Sequence, residues 1–84
     1  MIKKVFTIYD SKAELHSNPF FAVNEAIALR IFEDAVNDPQ TNIYRHPSDH
    51  TLFKVGEFDD SKGTIIPMEA LINLGLATEY KKEN

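Results

Sequence analysis

The sequence predicts an α+β fold: a small antiparallel sheet of about four strands, with one amphipathic helix packed on one face. Three observations predict it. Short runs of β-branched and aromatic residues alternate over 3–9, 20–23, 51–58 and 64–66. A single stretch, 24–37, repeats apolar residues at helical spacing. Turn-forming residues separate these segments. The 84 residues hold one core, so a single domain over 1–80 is expected, with a frayed tail at 81–84.

In the first strand Val5, Thr7 and Tyr9 point one way and Phe6 and Ile8 the other. Both rows suit a sheet, which predicts an interior strand. Residues 11–19 are polar and close on Asn18-Pro19, a loop signal. Phe20 to Val23 forms the second strand. Asn24 is the expected helix N-cap, because its side-chain oxygen can accept an orphan N–H of the first turn. Ala28, Ile31, Phe32, Ala35 and Val36 form the apolar stripe, and Arg30, Glu33, Asp34 and Asn37 the wet side. Pro39 stops the helix by disfavouring helical angles in the residue before it.

Residues 39–50 are expected to be a polar loop. The third strand, 51–58, places Phe53 and Val55 on one row and Leu52 and Phe58 on the other. Phe6, Phe32, Phe53 and Phe58 are assigned to the core. Residues 59–63 make a hairpin turn in which Gly63 supplies a positive φ. Pro67 ends the fourth strand at an edge or bulge. Residues 68–72 are expected to be a short helix or irregular turn, interrupted by Gly75. Asp-Ser-Lys occurs at 10–12 and at 60–62, and is read as the same turn chemistry used twice.

Composition narrows the function. Nine Lys and Arg against thirteen Asp and Glu leave a net charge of −4, a poor fit to a nonspecific polycation. Without cysteine there is no disulfide scaffold, thiolate metal site or cysteine nucleophile. The apolar start at Met1–Phe6 breaks at Tyr9-Asp10 with no small-residue cleavage site, unlike a signal peptide. No apolar run approaches the roughly 20 residues that span a bilayer, so no membrane partner is expected.

His46 and His50 are four apart, a spacing zinc uses on a helix, but Pro47 disfavours that geometry. Adjacent carboxylates at 33–34 and 59–60 point apart and stay wet. Three glycines cannot build a phosphate loop, and no serine has a nucleophile-elbow context. No catalytic residue, metal or cofactor is expected, and an enzyme is not. The remaining chemistry is a mixture of rings and cations. Single-strand binders stack bases on aromatic rings and track phosphates with Lys and Arg. Lys3, Lys4, Arg30, Arg45 and Lys54 are candidate phosphate contacts. Tyr44 and one of Phe20 or Phe21 are candidate stacking rings, the other Phe facing the core. So small a core gains from association, so a homodimer is expected, through the edge near Pro67 or through Phe20 or Phe21.

Three ordered stretches carry a resemblance: Val5-Phe6-Thr7-Ile8-Tyr9-Asp10-Ser11-Lys12-Ala13 with Pro19-Phe20-Phe21; Ala28-Leu29-Arg30-Ile31-Phe32 with Asp34-Ala35-Val36-Asn37-Asp38-Pro39; and His46-Pro47-Ser48-Asp49-His50-Thr51-Leu52-Phe53 with Gly56-Glu57-Phe58-Asp59-Asp60-Ser61-Lys62-Gly63. In this order the chain resembles the small non-structural protein of gokushoviruses, single-stranded DNA phages of the microvirus group, over about residues 4–80. The resemblance implies a non-enzymatic accessory protein in the host cytoplasm. It implies single-stranded DNA as partner and a role in the switch from genome replication to single-stranded genome synthesis and packaging. The alternative is a module that contacts the phage replication initiator, packaging proteins or a host replication factor without touching DNA. The family carries no catalytic motif onto these residues.

Overall fold

A computed structural model describes residues 1–82. Its elements are β1 (Ile2–Asp10), β2 (Leu15–His16), β3 (Phe20–Ala22), α1 (Glu25–Val36), α2 (Asn42–Arg45), β4 (His50–Asp59) and β5 (Thr64–Leu76). Single 3-10 turns occupy Pro47–Asp49 and Ala77–Glu79. The sheet is antiparallel, with β1 and β4 in the middle and β5 on one edge. The short β2 and β3 both pair with β1, sharing its other side. The fold is α+β as expected, with five strands in place of about four.

The helix begins where expected because Asn24 Oδ1 accepts the Ile27 N–H at 2.9 Å. Ala28, Phe32 and Val36 lie one turn apart and pack on Phe6, Ala22, Leu52 and Ala77, all fully or nearly buried. Phe20, Ile8, Leu29, Ile43, Leu74 and Tyr80 close the margins of this core. The chain leaves α1 through Asn37, whose Nδ2 donates to the carbonyls of Glu33 and Tyr80 at 2.8 and 3.1 Å. Asn37 Oδ1 accepts the Lys82 N–H at 2.8 Å, so one side chain ties the helix end to the chain end. Of the tail expected to fray, Lys81 and Lys82 are thus hydrogen-bonded, and residues 83–84 lie outside the described ones.

Four expectations are corrected. The loop 11–19 contains β2, and the loop 39–50 contains α2, capped by Thr41 Oγ1 on the Tyr44 N–H at 3.1 Å. The last strand does not stop at 66, and no helix forms at 68–72: β5 runs through Pro67 to Leu76. Pairing to β4 outweighs local helix preference there: Pro67 pairs opposite Gly56, and the four residues after it are absorbed in a bulge. Phe53 and Phe58 share one row, because a β4 bulge between Lys54 and Gly56 inserts Val55 and reverses the alternation. That row lies on the face opposite α1, so neither ring joins the main core.

The two Asp-Ser-Lys turns use different acids. Asp10 Oδ1 accepts the N–H groups of Lys12 and Ala13, whereas the second turn is closed by Asp59, whose Oδ1 accepts the Ser61 N–H at 2.9 Å. Asp60 instead binds the N-terminal amine at 2.7 Å. Gly63 takes the positive φ expected, at 69°.

Candidate nucleic-acid interface

Strand alternation divides the sheet into two chemically different faces. β1 sends Phe6 and Ile8 toward α1, and Lys3, Val5, Thr7 and Tyr9 to the side no helix covers. Cross-strand register then brings Phe53 opposite Thr7, Phe58 opposite Lys3, Phe21 opposite Val5 and His16 opposite Tyr9. The helix-free face therefore carries two ring clusters. Tyr9, His16 and Phe53 lie mutually within 4.8–6.3 Å, centroid to centroid. Phe21 and Phe58 sit 5.4 Å apart. His16 is fixed by its Nδ1, 2.7 Å from Thr7 Oγ1. These rings bury Val5 and Thr7 beneath them while keeping exposed edges of their own; Phe21 is 46% exposed.

The predicted residues do not form one patch. Phe21 and Lys3 are on the helix-free face. Phe20 is stacked on Phe6 at 5.7 Å in the core, which resolves the choice between the two neighbours. Lys4 and Lys54 lie on the helix side, Lys54 only 9% exposed. Arg30 is exposed on the outer side of α1, about 200° around the helix from Ala28 and Phe32. Tyr44 and Arg45 belong to α2.

Three of the five predicted phosphate contacts have carboxylates beside them. Lys3 Nζ is 3.8 Å from Asp60, Lys4 Nζ 3.9 Å from Glu25 and Lys54 Nζ 4.0 Å from Glu57. Tyr44 has a cation on its ring: Lys81 Nζ stands 3.1 Å from the centroid and donates to the Tyr44 carbonyl. Among the described residues Arg45 reaches only the Asn42 side chain.

At the Tyr9 end of the sheet lies a polar recess lined by Asp10, Lys12, Asn42, His46, Asp49 and His50. His50 is buried, its Nδ1 2.8 Å from the His46 carbonyl and its Nε2 3.5 Å from Asp10. The Ala13 backbone N–H, with that of Lys12 and the positive potential of His50 and His46, holds the Asp10 carboxyl below its ordinary value. Among the described residues no three of His, Asp and Glu gather to hold a metal ion, and no helix is long and apolar enough to cross a membrane.

Sequence reasoning missed Tyr9, His16, Phe53 and Phe58 as surface rings, and Lys12 as a cation of the recess at the Tyr9 end. The period of two in β1 already placed Tyr9 with Val5 and Thr7. The row containing Phe58 was hidden by the β4 bulge.

An open antiparallel sheet with rings on one face and one main helix on the other makes this a small α+β protein. The comparisons give the particular family: the sequence profile of the phage ORF5 proteins matches residues 3–80, and the chain belongs to that family. It is similar to Protein ORF5 of Chlamydia phage 1, a gokushovirus, at 33% identity over 89 residues and 93% of each chain. The resemblance to gokushovirus non-structural proteins holds. No solved structure matches the chain.

Proposed function

We propose that this phage accessory protein is not an enzyme, binds single-stranded DNA across the helix-free sheet face, and assists the switch from genome replication to single-stranded genome synthesis and packaging in the host cytoplasm. The carrying observation is the ring row Tyr9, His16 and Phe53 with Phe21 and Phe58 on one open face. Unpaired bases stack on such rings with little sequence preference, at about 1–3 kcal/mol per base. Lys12 and His46 line the recess at the Tyr9 end of the sheet and, among the described residues, have no carboxylate within ion-pair distance, which suits the phosphates of a strand leaving the row. Fluorescence anisotropy with a labelled single-stranded oligonucleotide tests this across salt. Affinity should fall as salt rises. Phe53→Ala should weaken binding by about 5- to 150-fold, the equivalent of one lost stack. No binding at low salt with tens of micromolar protein overturns the proposal.

One observation favours a second reading. Ion pairing at Lys3, Lys4 and Lys54 lowers the cation supply of a chain already at −4. In that reading the protein contacts the replication initiator, a packaging protein or a host replication factor without DNA. Partners retained in a pull-down from nuclease-treated infected cells, with no anisotropy change on DNA, support it.

A further inference from the structure

Among the described residues the strand β5 is an edge without a neighbour: it pairs with β4 alone, and the sheet ends there. Its 13 residues run alongside Thr51–Asp59 of β4, with four of them bulged, so it spans ~30 Å. Among the described residues its outer side has no partner strand, the last turn alone being tied back by Tyr80 Oη on the Leu74 carbonyl and Glu79 on the Leu76 N–H. Four residues, 68–71, have no partner on β4 either, standing opposite Val55 alone. Its side chains are aliphatic and uncovered: Ile65 is 65% exposed, Ile66 50%, Leu71 44% and Ile72 39%. A free ladder edge combined with aliphatic side chains on both faces is a template for another strand.

The charges say what kind of strand. Glu69 is the one ionisable residue in β5. Beside it the N-terminal amine and Lys3 are paired with Asp60, and Lys54 with Glu57. Neither phosphate nor a charged peptide finds a counter-charge there, so the complementary surface is apolar and nearly neutral. A second β5 has that character.

We infer that two copies of this chain pair antiparallel along β5, about a two-fold axis near Ala70, the middle residue of the strand. This goes beyond the DNA-binding reading and does not depend on it. The contact is isologous, so it closes at two copies. A strip ~30 Å long, with one side-chain layer above and one below the sheet for ~20 Å of width, offers on the order of 600 Å² per copy, the lower end of the standard interface size. The opposite side of the sheet is divided between the short β2 and β3, which limits growth beyond the dimer. With Ala70 near the axis, Glu69 of one copy faces Leu71 of the other rather than its own counterpart, avoiding a like-charge pair.

Sedimentation equilibrium of the full chain should give twice the 9.6 kDa chain mass. Ile65→Lys and Leu71→Lys should each return it to 9.6 kDa with an unchanged far-ultraviolet circular dichroism spectrum, because both side chains are already exposed in one copy. Since the chain has no cysteine of its own, Ala70→Cys should give a covalent dimer on mild oxidation, and Ser61→Cys in the exposed turn should not. A monomer at all concentrations overturns the inference. So does a dimer that survives both lysine variants, or one abolished instead by Ile27→Lys or Ile31→Lys on the exposed side of α1. Oligonucleotide anisotropy on the monomeric variants separates the two proposals: failure to dimerise and failure to bind DNA are independent readouts.

Discussion

Phe20 and Phe21 are adjacent and chemically identical, yet Ala substitution should have unequal consequences. Phe20 packs on Phe6 at 5.7 Å and closes the margin of the core under α1. Removing it takes away a ring that the rigid sheet and helix cannot collapse to replace, which costs about 3 kcal/mol, the low end for a Phe→Ala change because the ring is partly buried. Phe21 is 46% exposed and touches Phe58. Only about half of its transfer free energy is at stake, or about 1 kcal/mol. For a chain of 84 residues the whole stability is on the order of 4–13 kcal/mol, so the difference is large on that scale. Thermal unfolding followed by circular dichroism should show Tm falling by roughly 12–24 °C for Phe20→Ala and 4–8 °C for Phe21→Ala. The order should reverse in oligonucleotide binding, where Phe21→Ala loses affinity and Phe20→Ala, compared well below its Tm, does not. A Phe21→Ala variant at least as destabilised as Phe20→Ala would refute the assignment of the two faces.

Three further outcomes follow from local geometry. A Cβ at Gly56 would lie 2.6 Å from the Ile66 carbonyl oxygen, a backbone atom held by the ladder, so Gly56→Ala should cost about 1–3 kcal/mol in urea unfolding. Asn24→Ala should cost about 1 kcal/mol in the same assay, and Asn24→Asp should restore most of it, since either side chain accepts the Ile27 N–H. Asp10 and Asp60 are held below the ordinary value of 3.8, Asp10 chiefly by the Ala13 N–H and Asp60 by the N-terminal amine. Their folded-state values are depressed, so the stability they add is fully present above about pH 4 and is lost as pH falls through those lower values. Urea midpoints should therefore drop with acid below pH 4, with a shallower drop in Asp60→Asn.

Much of this architecture is legible in the sequence, and the exceptions have a common cause. The helix, its Asn24 cap and the β4–β5 turn with Gly63 are set by contacts within a few residues, and they fall at or within one residue of where the pattern puts them. β5 is set by pairing with β4, so its extension past Pro67 left no local mark, and the 68–72 segment read as helical. The candidate site shows the same division. Tyr9 follows from alternation within β1, but the carboxylates beside Lys3, Lys4 and Lys54 include Asp60 and Glu25, 57 and 21 residues away from their partners. Whether a lysine is available for phosphate is decided by such distant neighbours, which spacing along the chain does not reveal.

The extra residue at Val55 has a consequence for how this gene can change. On one side of it, inward positions of β4 are even-numbered, as at Leu52 and Lys54; beyond it they are odd, as at Glu57. Val55 has no partner on β1, so deleting it would restore strict alternation and keep every later residue on its own face, whereas deleting a paired residue such as Phe53 would move its neighbours to the opposite face. With Val55 gone, Phe58 would stay with Phe21 on the ring-bearing side and Glu57 with Lys54 on the helix side. Relatives should therefore differ in length at this position and in the turn at 60–62, where no paired residue has a register to lose, and keep a constant length along the paired positions of β4.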